Sequence, residues 1–183
     1  MLEEVKKDFC YGCSACASVC PKCAIKMLPD EEGFKYPNIN KEQCIECGLC
    51  EKVCPALKRE DKKNYSIRNV YGVKHKDIDV LNTSASGGFF TAISDVVLSE
   101  GGIIYGAAFD ENMIVRHCRA TNAVERNRMK GSKYVQSDIG NTYLQVKSDL
   151  QNGKKVLFTG TPCQVDGLIR SLRGKTDNLL CVD

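Results

Sequence analysis

Eight cysteines in two matching runs constrain this chain more than any other feature. The first run is Cys10, Cys13, Cys16 and Cys20, with Pro21 behind it. The second is Cys44, Cys47, Cys50 and Cys54, with Pro55 behind it. Both read C-x2-C-x2-C-x3-C-P. Each second-run cysteine lies 34 residues after its counterpart, and Val19 and Val53 correspond in the same way. Self-similarity at a fixed period marks a duplicated structural unit. Nine of the 12 cysteines fall between Cys10 and Cys54, leaving Cys118, Cys163 and Cys181. Such a count in a small exported protein implies disulfides. Here the opening Met1-Leu2-Glu3-Glu4-Val5-Lys6-Lys7 is charged and lacks the apolar centre of a signal peptide. A cytoplasmic location and metal-bound thiols are therefore expected. No stretch reaches the ~20 continuous apolar residues of a membrane span. Lys+Arg of 26 against Asp+Glu of 23 leaves +3, which calls for no nucleic-acid partner.

The spacing has a physical reading. Three thiolates at i, i+3 and i+6 on a tight loop can cap three irons of a cubane. The fourth cysteine opens a helix whose first turn suits the proline. The rival is a pair of zinc sites, which use two C-x2-C pairs or mixed Cys and His ligands. Each run here instead closes on a third cysteine and a Cys-Pro, and the two histidines, His75 and His117, lie elsewhere. Two 4Fe-4S clusters are the better fit.

Over residues 1–57 the chain resembles the bacterial-type two-cluster ferredoxins, in which the fourth cysteine of a run ligates the other cluster. That pattern gives cluster one to Cys10, Cys13, Cys16 and Cys54, and cluster two to Cys44, Cys47, Cys50 and Cys20. The crossing ties the halves together, so a module this small can fold around metal. The resemblance implies two short hairpins and two short helices, with residues 33–40 in the hairpin joining the halves. Cys23 has no place in the scheme and reads as a small buried side chain.

Residues 58–69 begin KREDKKNYSIR, polar but for Ile67, and read as a charged linker or a basic docking patch. Beyond it the pattern becomes α/β. Strands are expected at 70–73, 103–109, 113–120, 155–159 and 178–182, the second and third joined as a hairpin at Asp110-Glu111-Asn112. Helices are expected at 86–99, 122–129, 139–151 and 162–172. The stripe Phe89, Phe90, Ile93, Val96, Val97 and the set Tyr143, Leu144, Val146, Leu150 should face inward. Leu179-Leu180-Cys181-Val182-Asp183 reads as an interior parallel strand, which normally runs on into a covering element. On that ground the domain is expected to be incomplete, the N-terminal part of a longer protein.

Three loops carry chemistry. Ser84-Ala85-Ser86-Gly87-Gly88 precedes a helix, where small residues admit an anion to backbone amides, or Ser86 serves simply as N-cap. Lys130-Gly131-Ser132-Lys133-Tyr134 suits a phosphate with Tyr134 over a ring, or is an ordinary exposed loop. Thr159-Gly160-Thr161-Pro162-Cys163-Gln164 joins a buried strand to a helix, where α/β sheets bind ligands. There the helix dipole favours a Cys163 thiolate, unless that cysteine only packs.

Taken together, SASGGFFTA, GGIIYGAAFD, KGSKYVQSDIG and GKKVLFTGTPCQ, in this order after a two-cluster ferredoxin, resemble the beta subunit family of coenzyme F-420 hydrogenases and dehydrogenases. The resemblance implies an α+β ferredoxin-type module (1–57), a linker (58–69) and an incomplete α/β flavin-binding domain (70–183). It implies FAD contacts at Ser86, Gly87, Gly88, Thr91, Lys130, Ser132, Lys133, Tyr134, Thr159, Gly160, Thr161 and Gln164. Cys163 would lie beside the flavin or act as a further cluster ligand. The activity implied is an oxidoreductase of anaerobes passing electrons between clusters and flavin and on to coenzyme F-420, a deazaflavin, or another acceptor. Its partners would be other redox subunits or ferredoxin-like carriers. An electron-transfer adaptor without flavin, or an accessory reductase in a biosynthetic pathway, are the alternatives.

Overall fold

The computed structural model describes residues 5, 7–57, 69–174 and 176–183. Apart from Asn69, the expected linker lies outside them.

Residues 7–57 follow the repeat down to the backbone angles of the two cysteine loops. A 3-10 turn, Lys7–Phe9, leads to the first cysteine loop and helix α1, Ala15–Val19. Strands β1, Ile25–Pro29, and β2, Lys35–Ile39, pair antiparallel, and helix α2, Leu49–Lys52, follows the second loop. Of the two hairpins expected, the described residues hold this one. Gly12 and Ser14 sit at φ 63° and 64°, and their counterparts Glu46 and Gly48 at φ 51° and 69°. Both loops thus turn through the left-handed region at the same two steps. A non-glycine residue there costs roughly 1–2 kcal/mol, so the loops accept strain at Ser14 and Glu46 to wrap their cysteines.

The remainder builds one mixed four-stranded sheet in the order β4-β3-β5-β6. Strand β3, Ile103–Phe109, pairs antiparallel with β4, Val115–Ala120, and parallel with β5, Val156–Thr159; β5 pairs parallel with β6, Leu179–Val182. The helices are α3, Ile78–Asn82; α4, Phe89–Ser99; α5, Ala123–Asn127; α6, Thr142–Gln151; and α7, Pro162–Leu172. Alternation along the strands separates two cores. Ile103, Tyr105, Val156 and Phe158 pack with Tyr143, Val146, Leu168 and Leu172 on one face. Ile104, Ala108 and Leu157 pack with Val97 and Met129 on the other. Ala15 and Val53 belong to the first core, and α1 packs on α7, so the cysteine module and the sheet share one interior.

Several expectations are corrected. Cys20 is the C-cap of α1 and Cys54 lies just past α2, so the fourth cysteine of each run follows a helix rather than opening one. Residues 70–73 form no strand; Val70 and Tyr71 are exposed, and the segment has no ladder partner among the described residues. Helix α4 starts at Phe89 with Gly88, at φ 77°, as its N-cap, so Ser86 does not cap it. Its buried positions are Thr91, Ser94 and Val97, while Phe89 and Val96 are exposed. The cause is Arg126, buried against α4, whose guanidinium donates to the Thr91 carbonyl (3.1 Å), Ser94 Oγ (2.6 Å) and Asp95 Oδ1 (2.7 Å). A buried guanidinium needs such acceptors, and they share the inward side with Phe90, Ile93 and Val97, which pack on the core as expected. Leu144 is likewise exposed, because α6 shows Tyr143 and Val146 to the core. Cys23 is exposed rather than buried. Among the described residues no helix is long and apolar enough to cross a membrane.

Candidate functional site

The eight repeat cysteines sort into two cavities. One, about 340 Å³, is lined by Cys10, Cys13, Cys16 and Cys54, with Met27, Tyr36 and Ile39. The other, about 230 Å³, is lined by Cys20, Cys44, Cys47 and Cys50, with Ile25 and Ile45. Each cavity therefore takes three cysteines from one run and the fourth from the other. Ile39 borders both, at the end of the central hairpin. Among the described residues no three His, Cys, Asp or Glu side chains converge on a single metal ion; the cysteines ring spaces instead.

Backbone amides of Gly12, Ala15 and Ala17 point at Cys10, Cys13 and Cys16. Burial pushes these thiols up, Cys13 to about 12, and the amides offset part of the rise. A thiol so buried gives up its proton only to a cation that replaces it. The same amides that favour thiolate would hydrogen-bond cluster sulfur and tune a potential. The donor set and its surroundings thus fit two clusters.

A larger cleft of about 790 Å³ opens at the carboxyl ends of β5 and β6. Ser132, Lys133, Tyr134, Thr159, Gly160, Thr161, Cys163 and Gln164 line it. Ser86, Gly87, Gly88, Thr91 and Lys130 line a neighbouring cavity of about 590 Å³. The two meet at Met129, Gly131 and Ser132. The expected flavin contacts therefore fall in two adjoining compartments. Not all offer a free side chain. Lys133 Nζ donates to the carbonyls of Arg128, Met129, Lys130 and Gly131 at 2.9–3.3 Å, closing the loop after α5. Thr91 is buried. Gln164 forms a capping box with Thr161 at the start of α7, as Pro162 fills the first helical position.

The cysteine module supplies part of the cleft wall through Tyr11 and Phe34, both about half exposed. Tyr11 also lines the cavity of Cys10, Cys13, Cys16 and Cys54. Cys163 lies on the cleft side, near enough that its charge raises the Cys10 and Cys13 thiols. Docking across this seam is specific. Gln136 Oε1 accepts from Lys35 N (3.1 Å), and Lys35 Nζ pairs with Asp138 (2.7 Å), which also holds Arg116 Nη1 (2.9 Å). A Cβ on Gly12 would run into Gln136 and the Lys35 carbonyl. Tyr143 places its hydroxyl 2.9 Å from both the Cys13 and Gln164 carbonyls.

Sequence reasoning did not single out Tyr11, Phe34, His117, Gln136, Ser137 or Tyr143 as site residues. Gln136 and Ser137 stand within the quoted KGSKYVQSDIG run, and that was the available signal; the rest depends on docking.

Residues 9–57 match the 4Fe-4S dicluster domain family. No curated protein matches the chain. This part of the chain is an iron–sulfur, ferredoxin-like electron-transfer module, and a redox role with redox partners follows.

Proposed function

We propose that the chain is an iron–sulfur flavoprotein oxidoreductase subunit, carrying electrons between two 4Fe-4S clusters and a flavin in the cleft, and on to a deazaflavin or another acceptor. One observation carries the reading: the cleft at the strand ends shares Tyr11 with the cavity of Cys10, Cys13, Cys16 and Cys54, and Cys163 lines the cleft near enough to Cys10 to act on it electrostatically. Cluster one would be held by those four cysteines, and cluster two by Cys20, Cys44, Cys47 and Cys50. Only the cavity of cluster one borders the cleft, so the route runs from outside to cluster two, cluster one and the flavin, or back.

The residues divide the work. Tyr11, Phe34 and Tyr134, the last 95% exposed, offer aromatic faces for a flat heterocycle. Thr159, Gly160, Thr161 and Gln164 present the loop after β5, and Ser132 and Lys130 join it to the compartment of Ser86, Gly87, Gly88 and Thr91, where a phosphate-bearing tail would lie beside the N-terminus of α4. Cys163, in the first turn of α7, would contact the flavin beside cluster one. The flavin supplies exchange between two-electron and one-electron chemistry.

Anaerobic purification tests this. A yellow cofactor that fluoresces as flavin after denaturation, or tight uptake of added FAD, is expected alongside iron and sulfide. Reduction of the bound FAD by prereduced clusters, followed by reduction of a deazaflavin, nicotinamide or viologen, identifies the acceptor. Full clusters with no FAD uptake would leave a flavin-free electron-transfer adaptor and refute the reading.

A further inference from the structure

Behind the cleft, His117, Ser137 and Gln164 close a ring of hydrogen bonds whose protons can all be assigned. His117 Nε2 lies 3.0 Å from the Thr159 carbonyl, which can only accept. Nε2 therefore carries the proton, and Nδ1 is left as an acceptor. Ser137 Oγ, 3.0 Å from Nδ1, must donate to it. The Thr161 N–H donates to Gln164 Oε1 (3.0 Å), which turns Gln164 Nε2 toward Ser137 Oγ at 2.9 Å. The ring begins and ends on the 159–164 loop, and its three side chains all line the cleft. Phe158 stacks on the imidazole, centroids 5.1 Å apart, and fixes its plane. His117 is 7% exposed, and burial lowers its pKa, an effect the bond to Thr159 only partly reverses.

We propose that His117 takes up a proton at Nδ1, through Ser137, when the heterocycle in the cleft is reduced, and returns it on reoxidation. The proposal rests on the cleft being a flavin site. Two reduced clusters each give one electron, passing from [4Fe-4S]+ to [4Fe-4S]2+. FAD takes the two electrons and one proton to become the reduced anion, and a second solvent proton adds to His117. The charge of the cleft is then unchanged by the transfer. With Nδ1 protonated, His117 donates to Ser137 and the serine hydroxyl hydrogen is released to face the anion. The titratable groups sharing the cleft are Tyr11, Lys133, Tyr134, Cys163 and Asp183. The Lys133 ammonium is spent on backbone carbonyls, and Thr142 Oγ1 donates to the His117 carbonyl from α6. His117 is the group whose ring opens a lone pair onto Ser137.

Two measurements test it. The potential of FAD bound to the cluster-loaded protein is followed from about pH 5.5 to about pH 8.5, the range in which histidine titrates. Each added proton per two electrons steepens the dependence by about 29.6 mV per pH unit. Wild type should show a segment steeper than His117→Gln by that amount; equal slopes with FAD bound in both overturn the relay. Separately, ring 15N shifts in the FAD-free protein should report the Nε2–H tautomer, and an Nδ1–H tautomer overturns it whether or not the variant folds. If wild type binds no FAD, the flavin reading itself fails, a result distinct from equal slopes, and the relay falls with it.

Discussion

Replacing Tyr143 by phenylalanine isolates the bond that ties the sheet to the first cysteine loop. Tyr143 is 1% exposed, and its ring packs edge-on to Phe158 with centroids 6.0 Å apart, a contact phenylalanine keeps. Only the hydroxyl goes, and with it the donor to the Cys13 and Gln164 carbonyls. Gln164 O lies within α7, where the i to i−4 ladder supplies the Leu168 N–H. The Cys13 carbonyl is the group that loses its bond. A buried acceptor left without a donor costs about 1–3 kcal/mol. At roughly 2–4 °C per kcal/mol for a chain of this size, the melting point should fall by about 2–12 °C. The assay is an anaerobic melt followed by circular dichroism, with Leu144→Ala, on the exposed side of α6, changing stability by less than about 0.5 kcal/mol. Electron paramagnetic resonance of the reduced protein supplies a second readout: the signal of the cluster held by Cys13 should change and the other should not. A melting point equal to wild type, or equal disturbance of both signals, would refute the reasoning.

Cys54→Ala should damage the cluster that uses the first run, although Cys54 belongs to the second, and Cys20→Ala should do the converse; iron content and cluster-specific resonance decide, and loss confined to each residue's own run contradicts the crossed pattern. Gly12→Ala combines a left-handed backbone with a collision at Gln136, so it should lose about 2–4 kcal/mol by denaturant unfolding, from strain of roughly 1–2 kcal/mol and overpacking of about the same size. Tyr134→Ala, at a side chain 95% exposed, should leave the melting point unchanged. It should weaken FAD binding by about 1 kcal/mol, near fivefold, if the ring stacks on the bound heterocycle; unchanged FAD affinity by fluorescence titration would remove Tyr134 from the site.

Cysteine spacing made the N-terminal module legible because metal ligation leaves few alternatives at that period. The β3–β4 hairpin was equally readable from Asp110-Glu111-Asn112, and α7 from Thr161-Pro162 onward, since turn and cap chemistry is local. Helix α4 was placed, and Phe90, Ile93 and Val97 of its stripe pack inward, but no local pattern announces that Arg126, a few dozen residues later, needs Thr91 and Ser94 as acceptors. The segment 70–73 has strand-like composition and no ladder partner among the described residues, so composition alone misled. The cleft was legible on one side only. Its loops carry glycine, threonine and lysine in suggestive order, whereas Tyr11 and Phe34 reach it by docking of the cysteine module, which a linear pattern does not encode.

The left-handed steps shared by the two cysteine loops have exchanged their glycines: Gly12 answers to Glu46, and Ser14 to Gly48. Space demands the glycine at position 12 and makes no such demand at position 48. Gly12 abuts Gln136 and Ser14 is buried, while a Cβ at Gly48 would meet nothing within 4 Å and Glu46 is exposed. A once-equivalent pair has therefore acquired a front and a back. On the proposed electron route, the back loop could be rebuilt, tagged or fitted to a new donor without disturbing the front, and the choice of donor would then evolve independently of the cleft.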